Sequence, residues 1–333
     1  MQLLRKLAFP ISLLYGLVIH IRNYLYDIGF FTSKSYGTPT ICVGNLSVGG
    51  TGKTPMIEYL VNELKGNHKI AVLSRGYRRK SRGFELAGPT STVEDLGDEP
   101  YQIYTKFKEV FIAVDADRQN GIQQLENDIA PDVILLDDAF QHRRVKASFN
   151  ILLTAHYDLY SKDFFLPTGN LRDARNQAKR ADVVVVTKCP DQLSVTAQEN
   201  IRLALGFQKR VLFATLSYDE LFRSEKQWIR ASELTGKKVA VVTGIANPAP
   251  FITHLKSQNL TFKHLKYKDH HFFTTAEINA FKKYDFIITT EKDYMRLKGR
   301  LTNCFYLGVK HQFLDGGGEI LQDELTKMLK HYR

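Results

Sequence analysis

Residues 41–54 read Ile-Cys-Val-Gly-Asn-Leu-Ser-Val-Gly-Gly-Thr-Gly-Lys-Thr, and this stretch decides the fold. An apolar strand ends near Val43, three glycines follow within Gly49–Gly52, and a helical period begins after Lys53-Thr54. A strand, a glycine-rich turn, a Lys-Thr pair and a helix make the phosphate-binding loop of nucleoside triphosphatases. The glycines let backbone N–H groups converge on phosphate oxygens, and the helix N-terminus adds its positive dipole. Ser47, Val48, Gly49, Gly50, Thr51, Gly52, Lys53 and Thr54 are the expected nucleotide-binding set. Lys53 is expected to reach the β/γ-phosphates and Thr54 a Mg²⁺ ion. Ser47 stands where the pattern usually has glycine, which marks a divergent subfamily.

Outward from the loop, apolar runs alternate with helical periods. Runs at Thr40–Val43, Ile70–Leu73, Val110–Val114, Val133–Leu136, Ile151–Thr154 and Val183–Thr187 read as strands. Helical stretches lie at Pro55–Leu64, Glu99–Phe107, Arg118–Ile129 and Ala197–Leu205. Near-continuous apolar strands separated by helices predict a mostly parallel sheet covered on both faces. After the run Val211–Tyr218 a polar stretch, Asp219–Lys226, suggests a boundary. A second set follows: strand Val239–Thr243, helix Pro248–Gln258, strands Phe286–Thr289 and Cys304–Gly308, and helix Glu319–Lys330. The expected architecture is α/β: an amino-terminal membrane-interface helix (1–28), a phosphate-loop domain (29–222) and a smaller α/β domain (223–333) closing over the nucleotide. The final helix is allowed to pack back on the first domain.

The chain has 333 residues, enough for about two domains, with ordinary apolar and charged fractions. Disordered, fibrous and polytopic membrane classes are excluded. Lys and Arg exceed Asp and Glu by +11, which favours an anionic partner. Cys42, Cys189 and Cys304 have neither disulfide nor metal-ligand spacing, so a reducing, cytosolic setting follows.

Residues 1–25 place Leu3, Leu4, Leu7, Ile11, Leu14, Leu17, Val18, Ile21 and Leu25 at helical spacing. The uncharged stretch Leu7–Ile19 is too short to span a bilayer and contains Pro10 and Gly16. A secretory signal is rejected too, because His20-Ile-Arg-Asn-Tyr-Leu-Tyr-Asp27 follows where a small-residue cleavage site should lie. Two readings remain: a helix packed on its own core, or an amphipathic helix in the membrane interface with Arg5, Lys6 and Arg22 near lipid headgroups.

The strand Val133–Leu136 ends in Asp137-Asp138, the place where phosphate-loop enzymes present an acid to Mg²⁺. Thr187-Lys188-Cys-Pro-Asp191 resembles a guanine-reading motif but carries one residue too many. Basic residues cluster at Arg75–Arg82, His142–Lys146 and Arg172–Arg175, several of them just after strands, where α/β sheets bind ligands.

Val43-Gly-Asn-Leu-Ser-Val-Gly-Gly-Thr-Gly-Lys-Thr-Pro55 closely resembles the loop of the tetraacyldisaccharide 4'-kinases of lipid A synthesis. So do Ser74–Tyr77, Gly97-Asp98-Glu99-Pro100, Asp137-Asp138-Ala-Phe-Gln141-His142-Arg143, Leu166–Arg172, Gly244–Pro248, Asp269-His270-His271 and Thr290-Glu291-Lys292-Asp293, in the family's order. The likeness runs over about residues 1–310, and Ser47 is itself a habit of the family. Asn170 and Asp173 depart from it, where proline and glutamate are commoner.

The resemblance implies a kinase that transfers the γ-phosphoryl of ATP to the 4'-hydroxyl of a tetraacyl glucosamine disaccharide 1-phosphate. The setting would be the cytoplasmic face of a bacterial inner membrane. Implied partners are that acylated, phosphorylated disaccharide and an anionic membrane surface, with no nucleic acid and no obligate protein. ATP and Mg²⁺ are the implied cofactors, with Thr54, Asp137 and Asp138 as metal ligands. Asp98 is the implied catalytic base and His270 its helper, raising the carboxylate's basicity; His271 is a near alternative. From the residues alone Asp98 reads equally well as a helix N-cap. Arg75, Arg118, Gln141 and Arg172 are second-tier candidates for binding substrate phosphate or the transferred group. Two rival classes are a nucleic-acid-stimulated ATPase, from the basic charge, and a GTP-dependent chaperone or switch, from the Thr-Lys element.

Overall fold

The computed structural model describes residue 5 and residues 7–332. Leu3, Leu4 and Lys6, which enter the reading of the first helix, lie outside the described residues.

The larger sheet is built from β1 (Thr40–Asn45), β2 (Ile70–Ser74), β3 (Glu85–Leu86), β4 (Phe111–Val114), β5 (Val133–Asp137), β6 (Phe149–Ala155), β7 (Val183–Thr187), β8 (Arg210–Tyr218) and, from near the end of the chain, β15 (Val309–Phe313). These nine strands run in the order β15-β8-β7-β6-β1-β5-β2-β4-β3. Only the edge strands β3 and β15 pair antiparallel. The helices preceding and covering the sheet are α1 (Phe9–Asp27), α2 (Lys53–Leu64), α3 (Asp98–Lys106), α4 (Arg118–Asp128) and α5 (Val195–Leu205). One face buries Met56, Ile57, Leu60 and Val61 of α2 with Ile103 of α3. The other buries Ile122 and Leu125 of α4 and Ile201 and Leu205 of α5. Both faces being covered explains why β1, β2, β5 and β7 are buried along their whole length and read as unbroken apolar runs.

The smaller sheet comes from β9 (Phe222–Arg223), β10 (Trp228–Ile229), β11 (Val239–Thr243), β12 (Lys263–Lys266), β13 (Phe286–Thr290) and β14 (Cys304–Leu307). Its six strands run in the order β10-β9-β14-β13-β11-β12. Helices α6 (Ala249–Ser257), α7 (Thr275–Phe281) and α8 (Glu291–Leu297) accompany it. The segment after β14 does not stay with this sheet. β15 crosses back to pair with β8, and α9 (Gly317–Lys330) puts Leu321, Leu325 and Leu329 into the core of the larger sheet.

The first helix is turned inside out. Its buried residues are Ser12, Gly16 and Asn23, while Ile11, Leu13, Leu14, Leu17, Val18 and Ile21 are exposed. Ser12 donates to the Thr168 hydroxyl at 2.8 Å, and Asn23 donates to Asp173 at 2.7 Å. Gly16 lies on the Phe165 ring, which a Cβ would meet at 2.7 Å. Arg5 and Arg22, the described basic residues expected near lipid headgroups, are engaged by the protein's own backbone. Arg5 donates to the carbonyls of Pro167 and Gly169, and Arg22 to that of Gln141 at 2.8 Å, so both guanidinium groups satisfy backbone acceptors of the protein itself.

Candidate active site

β1 lies between β5 and β6, and the loop at its carboxyl end opens into the crevice where α/β sheets take ligands. Gly49 and Gly52 hold positive φ of 120° and 88°, conformations costly to other residues, and Gly52 starts α2. A cavity of about 300 Å³ adjoins Ser47–Thr51 and is also lined by Tyr157, Asp158, Tyr160 and Asn170. Val48 donates its N–H to the Asn170 carbonyl at 2.7 Å, which ties the loop to the segment that α1 grips.

Lys53 donates to Asn45 Oδ1 at 3.2 Å and lies 3.7 Å from Asp138 Oδ1. Burial lowers its affinity for a proton, and the Asp138 charge opposes that. Arg172 forks onto Asp138, with Nη1 at 3.0 Å from Oδ2, and also donates to Asn45 Oδ1 at 2.5 Å. Burial pushes the Asp138 carboxyl up, but Lys53 and Arg172 outweigh it and hold the group low. Asp137 is different: burial and the neighbouring Asp138 raise it to about 6, while Ser74 donates to it at 3.0 Å. Two adjacent carboxylates and the buried Thr54 hydroxyl are hard oxygen donors of the kind Mg²⁺ takes, so these residues fit that ion. With Asp138 spanned by Arg172, Asp137 keeps the freer oxygens.

The remaining second-tier residues separate clearly. Arg118 is buried and donates to the carbonyls of Asp115 and Ala116, both at 3.2 Å, bracing the turn behind Asp137. Gln141 donates to the Asn45 carbonyl at 2.7 Å. Arg75 is exposed at the end of β2. His271 is not brought to the cleft: it lies 3.0 Å from Glu277 and stacks on Tyr267 within its own sheet's layer.

Asp98 opens α3 and is buried. His270 Nδ1 donates to its Oδ2 at 2.6 Å, and Arg296 of α8 grips both oxygens, with Nε donating to Oδ1 at 2.9 Å. His270 holds a φ of 59°, a left-handed conformation that a non-glycine residue adopts at a cost and that turns its ring toward α3. Burial pushes the Asp98 carboxyl up, but the hydrogen bonds from His270 and Arg296 dominate and hold it at about 2. The pairing thus lowers the carboxylate's basicity, the reverse of the effect the sequence reading gave to His270. Next to it, Glu99 accepts from Lys292 at 2.5 Å. Lys106 of α3 bridges Glu58 of α2 at 2.5 Å and Glu291 of α8 at 3.3 Å.

Sequence reasoning missed Asn45, Lys292, Arg296 and His311. Lys292 lay inside a quoted block, but nothing in one dimension links it to Asp98 and Glu99. His311 of β15 reaches the loop itself, its Nε2 donating to the Gly52 carbonyl at 2.8 Å. Burial pulls this imidazole down to about 4 from an ordinary 6.5. An unfolded chain therefore binds a proton at His311 that the folded chain refuses, and stability is lost as pH falls from about 6.5 toward 4. The penalty approaches roughly 3 kcal/mol at about 1.4 kcal/mol per pH unit. Thermal melts across this range should show His311→Gln losing less on acidification than the parent; equal slopes would remove His311 as a cause.

The sequence model of the "Tetraacyldisaccharide-1-P 4'-kinase" family matches residues 4–330. The Tetraacyldisaccharide 4'-kinase of Flavobacterium johnsoniae is 49% identical over 323 residues, covering 95% of this chain and 94% of that protein. That of Bacteroides thetaiotaomicron is 45% identical over 316 residues, covering 88% and 83%. The crystal structure of LpxK from Aquifex aeolicus in complex with ATP superposes with a TM-score of 0.81 at 31% identity, covering 98% of this chain and 99% of that one. With a family model matching residues 4–330, relatives 45–49% identical over most of its length and a superposable structure at 31% identity, the chain belongs to the tetraacyldisaccharide-1-phosphate 4'-kinase family.

Proposed function

We infer that the protein transfers the γ-phosphoryl of ATP to the 4'-hydroxyl of a tetraacyl glucosamine disaccharide 1-phosphate. The observations that carry this are a phosphate loop whose Lys53 lies beside Asp138 and a buried Asp98–His270 pair, in a chain of this family. Loop residues 47–54 bind the triphosphate. Thr54 and Asp137, with Asp138 beside them, would hold Mg²⁺, which neutralises phosphate charge when bound. Lys53 and Arg172 neutralise charge developing on the transferred group. Asp98 and His270 act as a unit that takes the hydroxyl proton as that oxygen attacks phosphorus. The smaller sheet supplies His270, already paired with Asp98, and its movement over the nucleotide would admit and release substrate. Incubating the protein with labelled ATP or GTP, with and without the disaccharide lipid, tests the reading. Labelled lipid from ATP supports it; nucleic-acid-dependent hydrolysis, or turnover with GTP alone, sinks it.

We further propose that the protein docks on one leaflet through α1, at the cytoplasmic face of the inner membrane. Among the described residues no helix is long and apolar enough to cross a membrane. Beside the exposed stripe of Ile11, Leu14, Leu17, Val18 and Ile21, Phe30, Phe31 and Phe164 are exposed too, Phe164 lying edge-on to Phe9 of the same helix at 6.5 Å. A contiguous apolar patch of this kind marks an interaction surface. Half-burying four such side chains contributes about 4 kcal/mol, near a thousandfold in partitioning. Replacing Leu14, Leu17, Val18 and Ile21 by glutamine should weaken binding to anionic vesicles at least a hundredfold. Melting should stay within a few degrees, because these side chains touch solvent rather than core. Unchanged sedimentation with vesicles would place the anchor elsewhere.

A further inference from the structure

The block Thr290-Glu291-Lys292-Asp293 has no part in the chemistry assigned so far, yet it opens the helix that meets the catalytic carboxylate. Lys292 and Arg296 stand four residues apart, on one face of α8. They grip the consecutive acids Glu99 and Asp98 at the first turn of α3. Behind Arg296, Asp293 Oδ1 accepts from Nη1 at 3.0 Å. Asp293 Oδ2 accepts the Gly244 N–H at 2.9 Å and the Thr290 hydroxyl at 2.8 Å. The Gly244 carbonyl in turn accepts the backbone N–H of His270 at 2.9 Å. The path closes on itself: Asp98, Arg296, Asp293, Gly244, His270 and back to Asp98.

We propose that Arg296 is a positioning residue of the phosphoryl-transfer reaction, fixing the rotamer and the charge of Asp98 and coupling the Asp98–His270 pair to the smaller sheet. The proposal rests on the reading of Asp98 as the catalytic carboxylate. Three features single out this arginine. Its side chain is 1% exposed, so it meets no solvent that could replace its partner. Its planar fork engages both carboxylate oxygens, a geometry a lysine cannot reproduce. And it is shared between a carboxylate of the first sheet's layer and one of the second.

The consequence for proton transfer follows from hydrogen-bond inventory. An ionised carboxylate only accepts, so with Asp98 held as an anion His270 Nδ1 carries the proton it donates, and in the neutral ring Nε2 is then the lone pair. The hydroxyl proton can then move to the pair while the oxygen bonds to the γ-phosphorus and the bond to the β-phosphate oxygen breaks, releasing ADP. A protonated Asp98 would instead donate to Nδ1 and put the ring proton on Nε2, where it blocks uptake. The groups that set this balance are Arg296, Lys292 and Asp293 from α8, His270 and Asp269 from the loop after β12, and Glu99 on α3 itself.

The test is a double-mutant cycle in the full-length protein, assayed in mixed micelles with ATP and the tetraacyldisaccharide 1-phosphate. Arg296→Gln should lower kcat 10- to 100-fold, leave the KM for ATP within twofold and move the acid limb of the kcat–pH profile up by at least one unit. Placed on Asp98→Asn, the same change should cost less than a further twofold of the residual rate. Arg296→Lys should restore the acid limb but only part of kcat. Equal losses in both backgrounds, or an acid limb in Arg296→Gln identical to the parent's, overturn the proposal. If Arg296→Gln does not fold, Arg296→Lys decides: reduced kcat at unchanged melting supports it, and parental kcat overturns it. Asp98→Asn turning over at the parental rate would instead show that the Asp98 assignment is at fault.

Discussion

Lys53→Ala is expected to lower kcat about a thousandfold, the scale set by removing one preorganised charge from a transferring phosphoryl group. Lys53 is the cation at the start of α2, between Asn45 and Asp138. Its removal leaves Asp138 still spanned by Arg172, so no carboxylate is stranded and melting should barely move. Interactions that strengthen in the transition state show in kcat more than in KM, and the KM for ATP should therefore change by less than kcat does. Single-turnover and steady-state assays with the lipid acceptor check this. Retention of more than about a tenth of parental kcat at unchanged melting would remove the phosphate-loop assignment.

Asp98→Asn should cost 10²- to 10⁴-fold in kcat, the usual range for disabling positioned acid–base machinery, with the KM for ATP little altered. The change keeps shape but removes the charge that Arg296 and His270 both address. Stability changes too. Asp98 sits at about 2, below its ordinary 3.8, so its ionised form stabilises the fold above about pH 4, and this is lost as pH falls toward 2. Roughly 2 kcal/mol is at stake by linkage. Denaturant melts at pH 7 should show that loss, and the gap between parent and variant should narrow on acidification. A variant with parental kcat would move the base elsewhere; His270→Ala with an unchanged pH–rate profile would separate the histidine from it.

The central strands of both sheets were legible because buried parallel strands have no polar face to confuse the pattern. Val183–Thr187 and Val239–Thr243 coincide with their observed strands, and Arg118 begins its helix as expected. β12, with Lys263, His264 and Lys266, carries too little apolar signal to be seen, and β15 has three polar residues in a row, Lys310-His311-Gln312, with a histidine at its buried position. The phosphate loop was visible for a related reason: its chemistry is local, eight residues whose backbone does the binding. The pair Asp98–His270 spans 172 positions and Asp98–Arg296 spans 198. Only a resemblance could suggest the first, and nothing in the sequence alone points to the second, because an arginine on a short helix looks like any solvated charge.

The inverted first helix has a kinetic consequence. Arg5, Ser12 and Asn23 fasten it to residues 163–173, and Arg172 of that same segment holds Asp138. A bilayer that seats the helix thereby also sets the tilt and height of the phosphate crevice above the lipid plane. On the proposed docking the enzyme would sample acceptors as a two-dimensional searcher. Its rate should follow the mole fraction of the acylated sugar in the surface rather than its amount per litre, and adding inert lipid at fixed bulk concentration should slow it.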